Sequence, residues 1–270
     1  MKKINFIVSL FSLLLLVTSC GVMNGTGGTS GGGFNLFTID QDRELGAQVA
    51  FEIDSNSREY PQLDSASNPK VYKYLYDIRD KILNSGNVEL KEEFAWRLRI
   101  IDNDEVLNAF CTPGGYIYVY TGLMKYLDTE DQLAGVLAHE IGHADKRHST
   151  RQMTTMFGIQ ILLDVIAGDK VALKQVSGAL IGLKFSRNHE TEADECSVRY
   201  LCPTDYNADG GAGFFEKIEA EGGGKVPEFL STHPDPGNRI EFFHAKKVEL
   251  ECKGTTDYKD QYTAMKALLP

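Results

Sequence analysis

The spacing of apolar residues divides the chain into helical and strand-like stretches. Over residues 40–53, Leu45, Val49 and Ile53 recur at steps of four, which predicts a helix with one buried stripe. Asn68-Pro69 reads as a helix start, with Asn as cap and Pro in the first turn. Val71, Leu75, Ile78 and Ile82 carry that stripe towards a stop near Gly86. Residues 94–101 alternate and are rich in β-formers, so they predict a strand. A second is predicted at 106–111 and a third at 116–120, around a turn at 102–105 and the breaker Thr112-Pro113-Gly114-Gly115. The helical period then returns. Residues 121–127 predict a short helix. Thr129 and Gln132 predict a capping box for a longer one, with Leu133, Val136, Leu137 and Ile141 on its apolar face. Residues 153–166 are apolar nearly all round, too short to span a membrane, and predict one buried helix. Helices follow at 171–185, 188–201, 208–221 and 237–250, with 229–236 as a loop. Three consecutive strands followed by a run of helices indicate an α+β fold, mostly helical with a small three-stranded sheet.

The helix after Thr129 contains His139-Glu140-Ile141-Gly142-His143, an H-E-x-x-H motif. At 100° per residue, His139 and His143 stack on one face and can share a metal ion, while Glu140 can reach a water on that metal. Such a site needs a third protein ligand. The metzincin pattern supplies a His six residues on, after a Gly at the third. Here Lys146 is third and His148 fifth, so that pattern fails and His148 reads as a structural or supporting residue. The later stretch Glu190-Thr191-Glu192-Ala193-Asp194 places Glu190 and Asp194 on one helix face. One carboxylate can serve the metal and the other can orient a His. The bland alternative is a solvated acidic helix start.

Composition alters the setting more than the fold. The chain has 270 residues, 42% hydrophobic and 24% charged, enough for one sizeable domain. Its net charge of −10 argues against a nucleic-acid partner. Lys2 and Lys3 precede an apolar run over 4–17 and then Val17-Thr18-Ser19-Cys20, the layout of a secretory signal peptide. A small residue before Cys resembles the lipobox of bacterial lipoproteins. Residues 1–19 are therefore expected to be removed and Cys20 to carry lipid. Gly21 and Val22, rather than Asp, then favour the outer membrane. Residues 20–38 are expected as the lipidated Cys and a Gly/Ser tether, 39–252 as the catalytic domain, and 253–270 as a tail. Cys111, Cys196, Cys202 and Cys252 allow two disulfides in three connectivities, and the pairing stays open.

A series of short motifs recurs in one order: Asn108-Ala109-Phe110, Pro113-Gly114-Gly115-Tyr116, Gly122-Leu123, the HEIGH motif, Ser186-Arg187 with ETEAD, His233-Pro234 and Arg239-Ile240. In this the chain resembles the gluzincin zinc metallopeptidases that include HtpX, BepA, LoiP (YggG), the mitochondrial Oma protease and the CAAX prenyl proteases. It is most similar to the compact lipoprotein members, and Cys111-Thr112 departs from their more common Ala-Leu. The resemblance implies a zincin-type domain holding one Zn2+ through His139, His143 and Glu190, with Glu140 as catalytic base. It implies catalytic or supporting roles for Asp194 and His233. It also implies substrate-binding roles for Asn108, Gly114, Gly115, Tyr116 and Arg239, and strand 116–120 is expected to pair with extended substrate. The implied activity is metalloendopeptidase, on unfolded or immature envelope proteins, at the periplasmic face of the outer membrane. Two other readings stand beside it: a latent or inactive zinc-site protein acting as a chaperone-like binding module, and a hydrolase of non-peptide bonds.

Overall fold

The alternation in the three strands fixes how the molecule is layered. The computed structural model describes residues 34–157, 159–222, 228–234 and 237–270. The expected signal peptide and the lipidation site Cys20 lie outside the described residues. The strands are β1 (Arg97–Ile101), β2 (Ala109–Thr112) and β3 (Tyr116–Tyr120), in the order β1-β3-β2. β3 runs parallel to β1 and antiparallel to β2. In this register Leu98, Ile117 and Cys111 align, as do Ile100, Val119 and Ala109. These residues share one face, and Tyr118, Tyr120 and Phe110 take the other. The sheet therefore separates two apolar cores.

Helices cover both faces. They are α1 (Ile39–Ser55), α2 (Pro69–Leu83), α3 (Thr121–Tyr126), α4 (Glu130–Asp145), α5 (His148–Met156), α6 (Ile159–Ile166) and α7 (Lys170–Ile181). There follow α8 (Arg187–Leu201), α9 (Ala212–Ala220), α10 (Glu228–Thr232), α11 (Arg239–Glu249) and α12 (Lys259–Lys266). This is the expected α+β fold. α4 packs on β2, α2, α8 and α9, and every residue from Leu133 to Asp145 is buried. α1 and α7 pack together on the opposite side of the sheet.

Several local expectations are corrected. The capping box at Thr129 does not form: its hydroxyl bonds the Asp131 carboxylate, and the Gln132 side chain accepts from the Asp128 N–H at 2.8 Å. The Glu130 N–H is taken by the Asp257 carbonyl at 2.9 Å. A neighbouring carboxylate outcompeted the backbone for the threonine. The box forms instead at Thr38 and Gln41, at the start of α1. The apolar stretch 153–166 is two helices, because Phe157 turns to an extended conformation and ends α5. Packing begins before residue 39, with Phe37 buried and Asn35 Nδ2 bonded to Thr150. It continues past residue 252, where Tyr262 and Met265 of α12 join the core. Cys202, just past the end of α8, forms a disulfide with Cys252, while Cys111 and Cys196 are buried thiols. No helix among the described residues is long and apolar enough to cross a membrane.

Candidate active site

The motif helix meets its third partner through a glycine. A side chain at Gly142 would bring its Cβ within 2.7 Å of Cys196 Cβ, so the glycine lets α8 lie directly against α4. The Ser186 hydroxyl accepts the His189 N–H at 3.2 Å and starts α8, which puts Glu190 in its first turn. Glu190 and Asp194, one helical turn apart, then face the two histidines of α4. α10 and the residue after it bring His233 to the same point.

His139, His143, Glu190 and His233 each offer a ligand atom, and these atoms all lie within 4.8 Å of one another. His139 Nε2 is 2.9 Å from His143 Nε2 and 3.3 Å from His233 Nδ1. Glu190 lies 3.3–3.5 Å from all three imidazoles. Glu140 approaches His233 Nε2 at 3.4 Å. All five side chains are at most 2% exposed.

The outer hydrogen bonds decide which nitrogens face inward. Asp194 is held by Arg239, whose Nε donates to Oδ2 at 2.8 Å and whose Nη2 donates to Oδ1, so both oxygens act as acceptors. His139 Nδ1 therefore donates to it at 2.8 Å. On the other side, His148 Nε2 donates to Glu192 at 3.0 Å and Arg151 supports that carboxylate at 3.2 Å. His148 Nδ1 is then the acceptor for His143 Nδ1–H at 2.9 Å. Both Nε2 atoms are thereby left to converge at 2.9 Å. Two lone pairs cannot face each other there without a positive charge between them; a metal ion, or a proton on one Nε2 when no metal is bound, supplies it. The His139 pKa shows how strongly the surrounding carboxylates attract positive charge to this point. Burial opposes its charge, but the hydrogen bonds of Asp194 and Glu190 win, and it is pushed up to about 9. His143 is held low by burial. The donor set thus fits a metal cation.

Glu140 behaves differently from every other acid in the cluster. Neither oxygen has a hydrogen-bond partner among the described residues. Burial raises its pKa, against the opposing fields of His233 and His139. Aromatic rings hold the histidines: Phe185 stacks on His143 with centroids 4.0 Å apart, and Phe229 on His233 at 4.2 Å. Sequence reasoning missed Glu192, Phe185 and Phe229. Only Glu192 carried a local signal, as the middle acid of ETEAD.

The other expected site residues stand around this group. Arg239 is not placed to bind substrate: it is 3% exposed and pairs with Asp194, with Glu190 at 3.6 Å. Asp194 offers no ligand atom to the group and bonds the outer nitrogen of His139, the supporting one of its two expected roles. β3 cannot accept a substrate strand because β1 and β2 occupy both of its edges; β1 and β2 are the edge strands. Tyr116 lies under the Arg97 guanidinium, 4.9 Å from its ring. Gly114 and Gly115 (φ +75° and +80°) form the tight turn against α1 and Trp96, where a Cβ at Gly115 would come within 2.9 Å of the indole. All three lie outside the metal group. Asn108, just before β2, is buried, and its Oδ1 has no hydrogen-bond partner among the described residues.

Comparisons with known proteins agree with this geometry. A model of peptidase family M48 matches residues 69–247. The beta-barrel assembly-enhancing protease of Escherichia coli (strain K12) is 28% identical over 229 residues, which cover 79% of this chain and 45% of that protein. The mitochondrial metalloendopeptidase OMA1 of Schizosaccharomyces pombe is 29% identical over 230 residues, covering 83% and 66%. That of Arabidopsis thaliana is 32% identical over 163 residues, covering 60% and 33%. The matched region spans a little under half the length of the bacterial protein. The buried H-E-x-x-H helix, the glutamate brought to it by α8, and a family match over most of the folded chain lead to one assignment: the chain belongs to peptidase family M48.

Proposed function

We propose that this protein is a zinc metalloendopeptidase acting on unfolded or immature envelope proteins. The observation that carries the reading is the Glu140 carboxylate, fully buried and without a hydrogen bond among the described residues, beside four metal-capable ligands. A structural carboxylate at that depth would be hydrogen-bonded. A group that must exchange protons with water and substrate is left open. His139, His143 and Glu190 are the ligands in this reading, a His2Glu set that suits zinc. Bound zinc supplies a Lewis acid for the peptide carbonyl and lowers the pKa of its water. The chain's own residues do the rest. Glu140 takes the proton of the attacking water and returns it to the leaving amine. Asp194 and Arg239 hold His139 in place, and Glu192 with His148 holds His143. The edge of β2 pairs with the extended substrate backbone.

The signal-like N-terminus, the Gly-rich residues after Cys20 and the likeness to a beta-barrel assembly-enhancing protease support anchoring at the periplasmic face of the outer membrane. A latent resting form is the second reading. It is favoured by His233 Nδ1, which lies among the ligand atoms and fits as a fourth ligand. One assay tests both. Zinc-loaded protein should digest unfolded casein, and a chelator should stop it. His233→Ala should accelerate digestion at least threefold. A tenfold fall would make His233 an oxyanion donor, and digestion that persists under chelation would remove the metal mechanism.

A further inference from the structure

A cleft of about 520 Å³ opens beside the metal group, between the end of α1, β2, α7 and α10. Its rim carries three exposed carboxylates: Glu52, Glu59 and Glu228. None of them forms an ion pair among the described residues, and no described lining residue is basic. Their partners are neutral. Glu59 accepts from Asn56 Nδ2 at 2.9 Å and from the Tyr60 hydroxyl at 3.0 Å, and Glu228 accepts from Ser231 at 3.1 Å. A second feature points the same way. Asn108 lines the cleft at 6% exposure, and its Oδ1 has no hydrogen-bond partner among the described residues. An acceptor left unpaired at that depth is costly unless a ligand supplies a donor. Phe110 and Tyr120 line the cleft with ring surface.

Acceptors, negative charge and aromatic faces, with no cation among the described lining residues to balance them, fit a side chain that ends in several N–H donors on an apolar stem. A bare divalent ion fits less well. It needs oxygens converging on one point at roughly 2.3–2.6 Å, and the one group of ligand atoms close enough to hold a metal, among the described residues, is the one around His139.

The cleft and the metal group share two elements. On β2, Cys111 faces α4, where burial and then the charge of Glu140 push its thiol pKa up, and Phe110 faces the cleft. On the other side, Thr232 lines the cleft and the next residue, His233, joins the ligand atoms. A peptide paired along β2 would send alternate side chains towards α4 and towards the cleft.

We propose that this cleft is a substrate subsite that takes a lysine or arginine side chain of the bound polypeptide. The proposal rests on the peptidase reading for the substrate class, and its test reads binding rather than turnover. Labelled octapeptides carry one arginine, moved through each position in turn. A matched set carries citrulline, which keeps the shape and loses the charge. Their affinities for zinc-loaded Glu140→Gln protein are measured by fluorescence anisotropy. At one position arginine should bind at least tenfold more tightly than citrulline. Adding Glu59→Gln and Glu228→Gln should reduce that ratio below threefold. Both carboxylates are exposed, and circular dichroism checks that the triple variant folds. Equal affinities for arginine and citrulline at every position would overturn the proposal, as would a ratio that survives the two substitutions. Stoichiometric calcium binding without an arginine preference would also overturn it. If wild-type protein digests nothing yet the arginine ratio holds and depends on the two carboxylates, the peptidase reading falls and the cleft stands.

Discussion

Replacing Glu140 with Gln is expected to lower kcat for hydrolysis of an unfolded protein by about 10²–10⁴-fold, the range for losing a general base. The amide keeps the shape of the carboxylate but cannot take a proton. Zinc stoichiometry should not change, because Glu140 is not among the four residues whose ligand atoms converge. Stability should hold or rise. The native carboxylate is buried and has no hydrogen bond among the described residues, so removing its charge relieves a desolvation cost without breaking one. Steady-state kinetics, bound zinc and a thermal melt on the same preparation separate these effects. Activity within tenfold of wild type would take the proton-transfer role away from Glu140.

Arg239→Leu should act in the opposite way, on stability first. Arg239 is buried against Asp194 and close to Glu190, both of them also buried. Removing the cation leaves those carboxylates short of positive charge, a loss of about 3–5 kcal/mol for a broken buried pair. At about 2–4 °C per kcal/mol for a domain of this size, the melting temperature should fall by about 10 °C. Zinc should recover part of the loss, because it brings positive charge to the same carboxylates and binds only the folded chain. Melts with zinc and with chelator measure both parts. A fall of under 2 °C in the chelated protein would mean that the guanidinium does not balance this site.

Local periodicity made the centre of the site legible. The four-residue step from His139 to His143 is visible in any helix, and the same step joins Glu190 to Asp194. What it could not show is which of two carboxylates reaches the metal and which stands behind a histidine. That depends on the close approach of α8 to Gly142, a contact between segments far apart in the chain. Arg239 was legible only as a motif residue, and its role follows from the acid it meets in space. The three strands were readable, but their order was not. β3 lies centrally because β1 pairs with it in parallel across the intervening hairpin partner, a non-local choice that alternation cannot encode. His148 failed the metzincin spacing and so looked incidental. Its part appears only when the hydrogen bonds on both of its nitrogens are followed. At Thr129 the sequence motif for a cap was present and a nearby carboxylate took the hydroxyl.

The central claim is that His139, His143 and Glu190 hold one zinc ion beside Glu140. Diffraction at the zinc absorption edge from crystals of the zinc-loaded protein tests it most directly. The account predicts a single anomalous peak per chain, about 2.0–2.2 Å from the Nε2 atoms of both histidines and from a Glu190 oxygen. A peak elsewhere, or a zinc at the histidines with Glu190 turned away, would contradict it.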